Sequence, residues 1–386
     1  MLSASLGSIG ALRSIELFET TVPLQEPIIA SHGTHREKRA LYVRVLTDGG
    51  EGWGEVAALR EPVGSDPSLS AVSSHLAEVW LPRIAGAAQS REGLAVESQT
   101  ISLLSAGTHL DNVASAAIEM ALLDAELRVE SLSLATWLES GGQSVPFGAI
   151  VGLPADGDIG GLVDAAEQHL RRGATRIRAK VEPGRSYEIL SALRSALGPI
   201  DLHGDANGSF DRPSLAPEHL RELMDLDSLG LRCIEQPLAT NDLTLYASLA
   251  GALSTPVCLD EGLSSVRQST YAIRYGACGA FCIKPGRLGG IRAAVSVLER
   301  ARSAGVECFI GGMFETGLGR ASNMALAALP GASMISDVAA PSTYLEDDPC
   351  HLPGPSDGRQ PLWRAPGVGP WPDIDRLARR AEVGVS

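Results

Sequence analysis

The chain has 386 residues, 44% of them hydrophobic and 20% charged, with a formal net charge of −14. This is an ordinary composition for a globular protein with a large core, and the acidic balance argues against nucleic acid or an anionic membrane as partner. No apolar run is long enough to span a bilayer, the first dozen residues lack a basic leader, and all six cysteines (233, 258, 278, 282, 308 and 350) fall in the second half, which reads as buried thiols in a reducing cytoplasm.

Residues 1–140 are expected to form an α+β domain. Segments 12–22 and 40–47 read as strands, Asp48-Gly49-Gly50 is a turn into GWGEV, and two helical patterns follow over 68–84 and 110–126. From 141 to 340 the pattern changes to short apolar runs alternating with helical stretches. The runs 147–151, 176–180, 201–205, 232–235, 257–260, 280–284, 306–311 and 333–337 predict strands. Between them, 159–172, 187–197, 217–228, 241–252, 264–275, 290–304 and 320–328 predict helices, several closed by Gly or Pro. Eight strands with seven intervening helices favour a (β/α)7β modified TIM barrel, α/β in class, over an open sheet. Residues 341–386 are rich in Pro and Gly and end in a helical pattern over 373–381, and this tail is expected to return over the first domain.

Lys180, Asp205, Glu235, Asp260 and Lys284 follow one another at intervals of 25, 30, 25 and 24 residues, each at or near the end of an apolar run. One strand, one helix and two loops occupy about 25 residues, so these side chains return to the same rim of a parallel barrel. Taken singly, each carboxylate is as readily a helix cap or a strand-end ion pair. Three in phase with the βα period make a divalent metal site, and their hard oxygen donors suit Mg2+ or Mn2+. Arg178 stands two residues before Lys180, on the same side of the strand, where a second cation favours release of a proton from the ammonium. Two lysines on opposite sides of such a site can add and remove a proton on either face of one carbon next to a carboxylate.

These residues sit in RIRAKVEPG (from Arg176), GDANGSF (Gly204), IEQPL (Ile234), CLDEGLS (Cys258), IKPGRLGGI (Ile283) and GGMFETGLGRASN (Gly311), together with GWGE (Gly52) and AAIEMALLD (Ala116). The set resembles the enolase superfamily, in its muconate-lactonizing subgroup, and within it the o-succinylbenzoate synthases and N-succinylamino acid racemases. The resemblance implies Lys180 as acid/base, Lys284 as the opposite acid/base or a steadying cation, and Asp205, Glu235 and Asp260 as Mg2+ ligands. It also implies a capping domain whose loops, about 24–36 and 54–66, close over the barrel mouth and a carboxylate substrate. Arg287 looks like the arginine of racemase-capable members, and Gly312, Met313 and Glu315 fall in a loop expected to line the substrate pocket.

Other positions have plainer readings. Asn207 is placed to orient a ligand or cap its loop, and Glu261 to support Asp260. His203, in phase with Asp205, reads as a satisfied core histidine with the option of reaching the substrate or the metal's surroundings. The loop holding His32 departs from the pattern of relatives, as does the second loop, so the substrate side chain stays open. Alternatives are a dipeptide epimerase, a cycloisomerase or another carboxylate enzyme on the same fold. A Schiff-base lyase using either lysine and a non-catalytic binding protein are readings of a different class. Family likeness points to a homo-oligomer.

Overall fold

The computed structural model describes residues 6–30, 33–62, 64–89, 96–154, 157–210, 216–239 and 242–385. The first domain is built on an antiparallel sheet of β1 (Leu12–Ala30), β2 (Gly33–Thr47) and β3 (Gly50–Glu55). Its inner face lies on the helix His109–Val129, which starts where the Thr108 side chain accepts from the Asp111 N–H. The two glycines of GWGE make this packing possible. A Cβ on Gly52 would stand 2.1 Å from the Ala121 carbonyl oxygen, and one on Gly54 would stand 2.0 Å from that of Ala117. Only a residue without a side chain lets the strand come this close to the helix backbone.

The described residues of segment 24–36, expected as the first closing loop, belong to β1 and β2. A bulge between Pro23 and Ile28 interrupts the ladder, which resumes as Ile28 opposite His35 and Ile29 opposite Thr34. His32 lies outside the described residues. The Gln25 side chain ties the hairpin to the C-terminal segment through the carbonyls of Ser342 and Leu345, at 2.9 and 3.1 Å.

A two-residue strand, β4 (Ser144–Val145), precedes the barrel. Its parallel strands are β5 (Gly148–Val151), β6 (Arg176–Lys180), β7 (Asp201–Asp205), β8 (Cys233–Glu235), β9 (Val257–Leu259), β10 (Ala280–Ile283) and β11 (Glu307–Ile310). Run 333–337 closes the ring as a single bridge, Phe147 to Ser336, rather than a regular strand. Asp337 N–H donates to the Ile310 carbonyl at 2.8 Å and Gly148 N–H to that of Ser336 at 2.9 Å. The irregularity has a local cause. The Ser333 and Ser336 hydroxyls accept from the Cys308 and Ile310 N–H groups, taking places that ladder carbonyls would hold.

The tail departs from its predicted helix. After β12 (Gln360–Pro361), which pairs with β4, residues Ile374–Arg376 form one 3-10 turn and β13 (Ala378–Gly384) joins the free edge of β1. Ala, Arg and Glu favour a helix in isolation, but an unpaired edge offers a full ladder of backbone bonds. The alternation over 380–383 also fits a strand, since Ala381 and Val383 pack on the cap core while Arg380 pairs with Glu19; Arg379, at the register shift, pairs with Glu16.

Two cap carboxylates dock the domains by capping barrel helices. Glu119 accepts from the Ile291 and Arg292 N–H groups, at 2.6 and 3.1 Å, at the start of the helix Ile291–Ala304. Glu55 accepts from the Thr316 and Gly319 N–H groups, at 2.8 and 3.0 Å, at the start of Gly317–Ala327. Each satisfies helix donors that have no partner within their own helix.

Candidate active site

The ladder registers assemble the rim. Lys180 lies opposite Asp205 between β6 and β7, and Asp205 opposite Glu235 between β7 and β8. Asp260 and Lys284 each follow the last residue of the next two strands. All five side chains expected at the strand ends therefore come to the C-terminal face of the barrel. Lys180 Nζ donates to Asp205 Oδ2 at 2.7 Å and to Asn207 Oδ1 at 2.5 Å. Across the site, Lys284 Nζ donates to Asp260 Oδ2, also at 2.7 Å. Glu235 sits between the two pairs.

Arg178 lies beneath this rim. It binds Glu235 Oε1 at 2.5 Å, approaches Asp205 Oδ2 at 3.4 Å, and pairs with Asp337, which Arg176 also holds. Burial pushes Glu235 well above the ordinary carboxylate range; Arg178 opposes this, while Asp205 and Asp260 beside it add to it. Burial would raise Asp260 too, but Arg287 and Lys284 hold it below its usual range. Lys284 is the mirror case: burial disfavours its charge, and the Asp260 carboxylate keeps it above the usual ammonium value.

The donor set fits a divalent cation. Glu235 is fully buried, and its Oε2 has no hydrogen-bond partner. Glu235, Asp260 and Cys282 each present one donor atom, all within 4.8 Å of one another. A buried polar atom without a partner costs about 1–3 kcal/mol, and more when the group is charged; a cation removes that cost.

The neighbouring residues divide. Asn207, at φ 44°, receives Lys180, donates from its backbone to Asp205 Oδ1 at 3.1 Å, and donates from its side chain to Glu261 at 3.0 Å. Arg287 donates to the Asp260 carbonyl and carboxylate, at 2.6 and 2.5 Å. Met313, in the loop after β11, offers its carbonyl to Lys38 at 3.0 Å and its N–H to Glu315 at 2.8 Å. Gly312 fits beside the Glu315–Arg320 ion pair, where a Cβ would come within 2.8 Å of both side chains. His203 does not join the site. Its ring meets Asp201 at 3.0 Å and the Cys233 sulfur at 3.5 Å, lower in the barrel, so it is a satisfied core histidine and not a contact of substrate or metal.

Four residues were not expected here. Asp66, from the second cap loop, pairs with Arg287. Lys38 is buried and bridges the carbonyls of Ala58 and Met313, both at 3.0 Å. His35 packs its ring against Phe314 at 6.2 Å, and burial together with the charges of Lys180 and Lys38 lowers its pKa. Asp337 closes the eighth run and was legible as a strand-end carboxylate; the other three become visible only when the cap is docked. A cavity of about 400 Å³ runs from Gly312 and Phe314 past Ile150 and Leu153 to the hairpin at Gln25 and Pro27.

Comparison with known proteins agrees with this geometry. Residues 161–376 match the enolase C-terminal domain-like model, and residues 13–138 match the mandelate racemase / muconate lactonizing enzyme N-terminal domain model. An N-succinylamino acid racemase from Amycolatopsis is 36% identical over 97% of this chain and 99% of its own. An o-succinylbenzoate synthase from Bacillus subtilis is 31% identical over 87% of each chain. A solved structure, a probable mandelate racemase from Alicyclobacillus acidocaldarius, superimposes with a TM-score of 0.84 at 31% identity over 97% of this chain and 100% of that one.

Proposed function

The chain belongs to the mandelate racemase and muconate lactonizing enzyme family of the enolase superfamily, and from this premise we infer a Mg2+-dependent enzyme that removes the proton α to a carboxylate. The reaction is dehydration to o-succinylbenzoate, racemisation of an N-succinylamino acid, or both in one site, in line with the names of its relatives. The observation that carries this reading is the symmetry of the two lysines. Lys180 and Lys284 flank Glu235 from opposite sides, each within 2.7 Å of one carboxylate.

Asp205, Glu235 and Asp260 would hold the cation, Mg2+ before Mn2+, with Arg178 and Arg287 keeping the carboxylates in place. When bound, it supplies positive charge that stabilises the dianionic form of the substrate carboxylate. With Asp205 and Asp260 holding the cation, Lys180 and Lys284 would be the groups to take up or release a proton at Nζ. Asn207 keeps the Lys180 amine aimed through its Oδ1. His35, Phe314 and Met313 come from the hairpin and the seventh-strand loop, where they cover the site and exclude water.

The experiment is direct. Purified protein is incubated with one enantiomer of an N-succinylamino acid, and α-carbon inversion is followed by optical rotation. In parallel, dehydration to o-succinylbenzoate is followed by absorbance. At least one activity is expected, abolished by EDTA and restored by Mg2+. Turnover that ignores EDTA, or a substrate carbonyl carbon trapped on a lysine as a secondary amine by borohydride, overturns the inference.

A further inference from the structure

Cys282 is a neighbour of the carboxylates that the proposed reaction does not use. It stands two residues before Lys284 on β10, so its side chain shares the barrel-facing side of the strand. The residue is fully buried, and its sulfur is one of the three donor atoms grouped within 4.8 Å with Glu235 and Asp260. The adjoining strand keeps it there. Gly311, one strand on, would place a Cβ 2.5 Å from the Cys282 Sγ, so only a glycine leaves room for the sulfur.

A second observation also points to a ligand. The Glu235 Oε2 is buried and without a partner in the same group. Metal bonds to oxygen and sulfur of about 2.0–2.3 Å put donors on opposite sides of an ion at roughly twice that distance. One cation therefore spans the group. Mg2+ prefers oxygen and leaves a thiol alone, whereas Zn2+, Co2+ and Cd2+ bind thiolate strongly.

We propose that Cys282 is a further metal donor, and that this centre also takes thiophilic divalent cations through a sulfur bond, in competition with Mg2+. This rests on the reading of the carboxylates as the metal site and adds the class of cation that can displace the resident one. As the sulfur–metal bond forms, the Cys282 S–H bond breaks and its proton passes to solvent; no electron is transferred. Glu235 and Asp260, the two carboxylates grouped with the sulfur, then hold the ion together with it.

The test uses the full chain, stripped of metal, titrated with Co2+ and watched for the near-ultraviolet sulfur-to-cobalt charge-transfer band. The parent is expected to show it, Cys282→Ser and Cys282→Ala to lose it, and Cys258→Ser, altered at another buried barrel thiol, to keep it. Circular dichroism identifies any variant that fails to fold, and the second substitution at 282 then decides. Excess Mg2+ should titrate the band away from the parent. A band that survives in the Cys282 variants, or is absent from a parent that binds Mn2+ by electron paramagnetic resonance, overturns the sulfur donor alone. A parent that binds neither Mn2+ nor Co2+ overturns it together with the metal reading beneath it.

Discussion

Arg287 makes a two-pronged ion pair with Asp66, its Nε and Nη2 donating to the two carboxylate oxygens at 2.8 and 2.6 Å. The pair joins the barrel to the second cap loop, and the remaining nitrogen of the fork holds Asp260. The cap loop is thus coupled to a proposed metal ligand through one buried guanidinium. Burial would raise the Asp66 carboxyl, but Arg287 and then His109 keep it well below its usual range.

Asp66→Asn should therefore act on both stability and turnover. Removing one partner of this buried pair leaves Arg287 with Asp260 as its remaining carboxylate, at a cost below that of a fully uncompensated charge, about 3 kcal/mol. Urea unfolding measures the first effect, and the Mg2+ requirement of activity, shifted to higher concentration, measures the second. A variant with parental stability and Mg2+ dependence would show that the loop and the ligand are independent.

A second expectation concerns pH. Burial pushes Glu119 from its ordinary 4.5 up to about 7, against the pull of the Arg292 N–H and guanidinium. Between those values the folded protein keeps a proton that the unfolded chain has released. The stabilisation from this group is complete below pH 4.5 and is lost as the pH rises through about 7, a difference on the order of 3 kcal/mol. Glu119→Gln keeps an oxygen for only one of the Ile291 and Arg292 N–H groups, which lowers stability at every pH, and removes the titration. Urea unfolding across this window should show a flatter pH slope than the parent, and Glu55, raised to about 7 by burial, contributes to the slope that remains. An unchanged slope contradicts the assignment.

The third prediction addresses the cap itself. Gly52→Ala pushes a methyl group into the Ala121 carbonyl, a clash with backbone that no rotamer change relieves. The loss should reach the upper end of the 1–3 kcal/mol typical of overpacking, or about 3 kcal/mol. Gly50→Ala in the preceding turn makes a useful comparison, since its Cβ meets nothing within 4 Å and its cost is confined to the φ of 147°. Thermal unfolding that ranks the two the other way round would refute the close-approach explanation.

The strand ends were legible because chemistry and topology share a period. Side chains that share one barrel rim must recur at the length of a βα unit, and Asp205, Glu235 and Asp260 do so. Asp66, Lys38 and Glu119 carry no such signal. Their partners are remote in sequence, Arg287 being 221 residues from Asp66, and their burial exists only after the cap docks. Local pattern misled at 373–381, where residues of good helix propensity complete a sheet edge. It was also ambiguous at His203, because period 2 reports which side of a strand a residue faces and says nothing of its height in the barrel.

The central claim is that Lys180 and Lys284 act on opposite faces of one α-carbon. It is tested most directly by exchange of the α-hydrogen of each N-succinylamino acid enantiomer with deuterium from solvent, followed by proton NMR. Lys180→Ala and Lys284→Ala should each abolish racemisation, while each still exchanges one enantiomer and not the other. Exchange that persists in the double variant would contradict the account and remove both lysines from the mechanism.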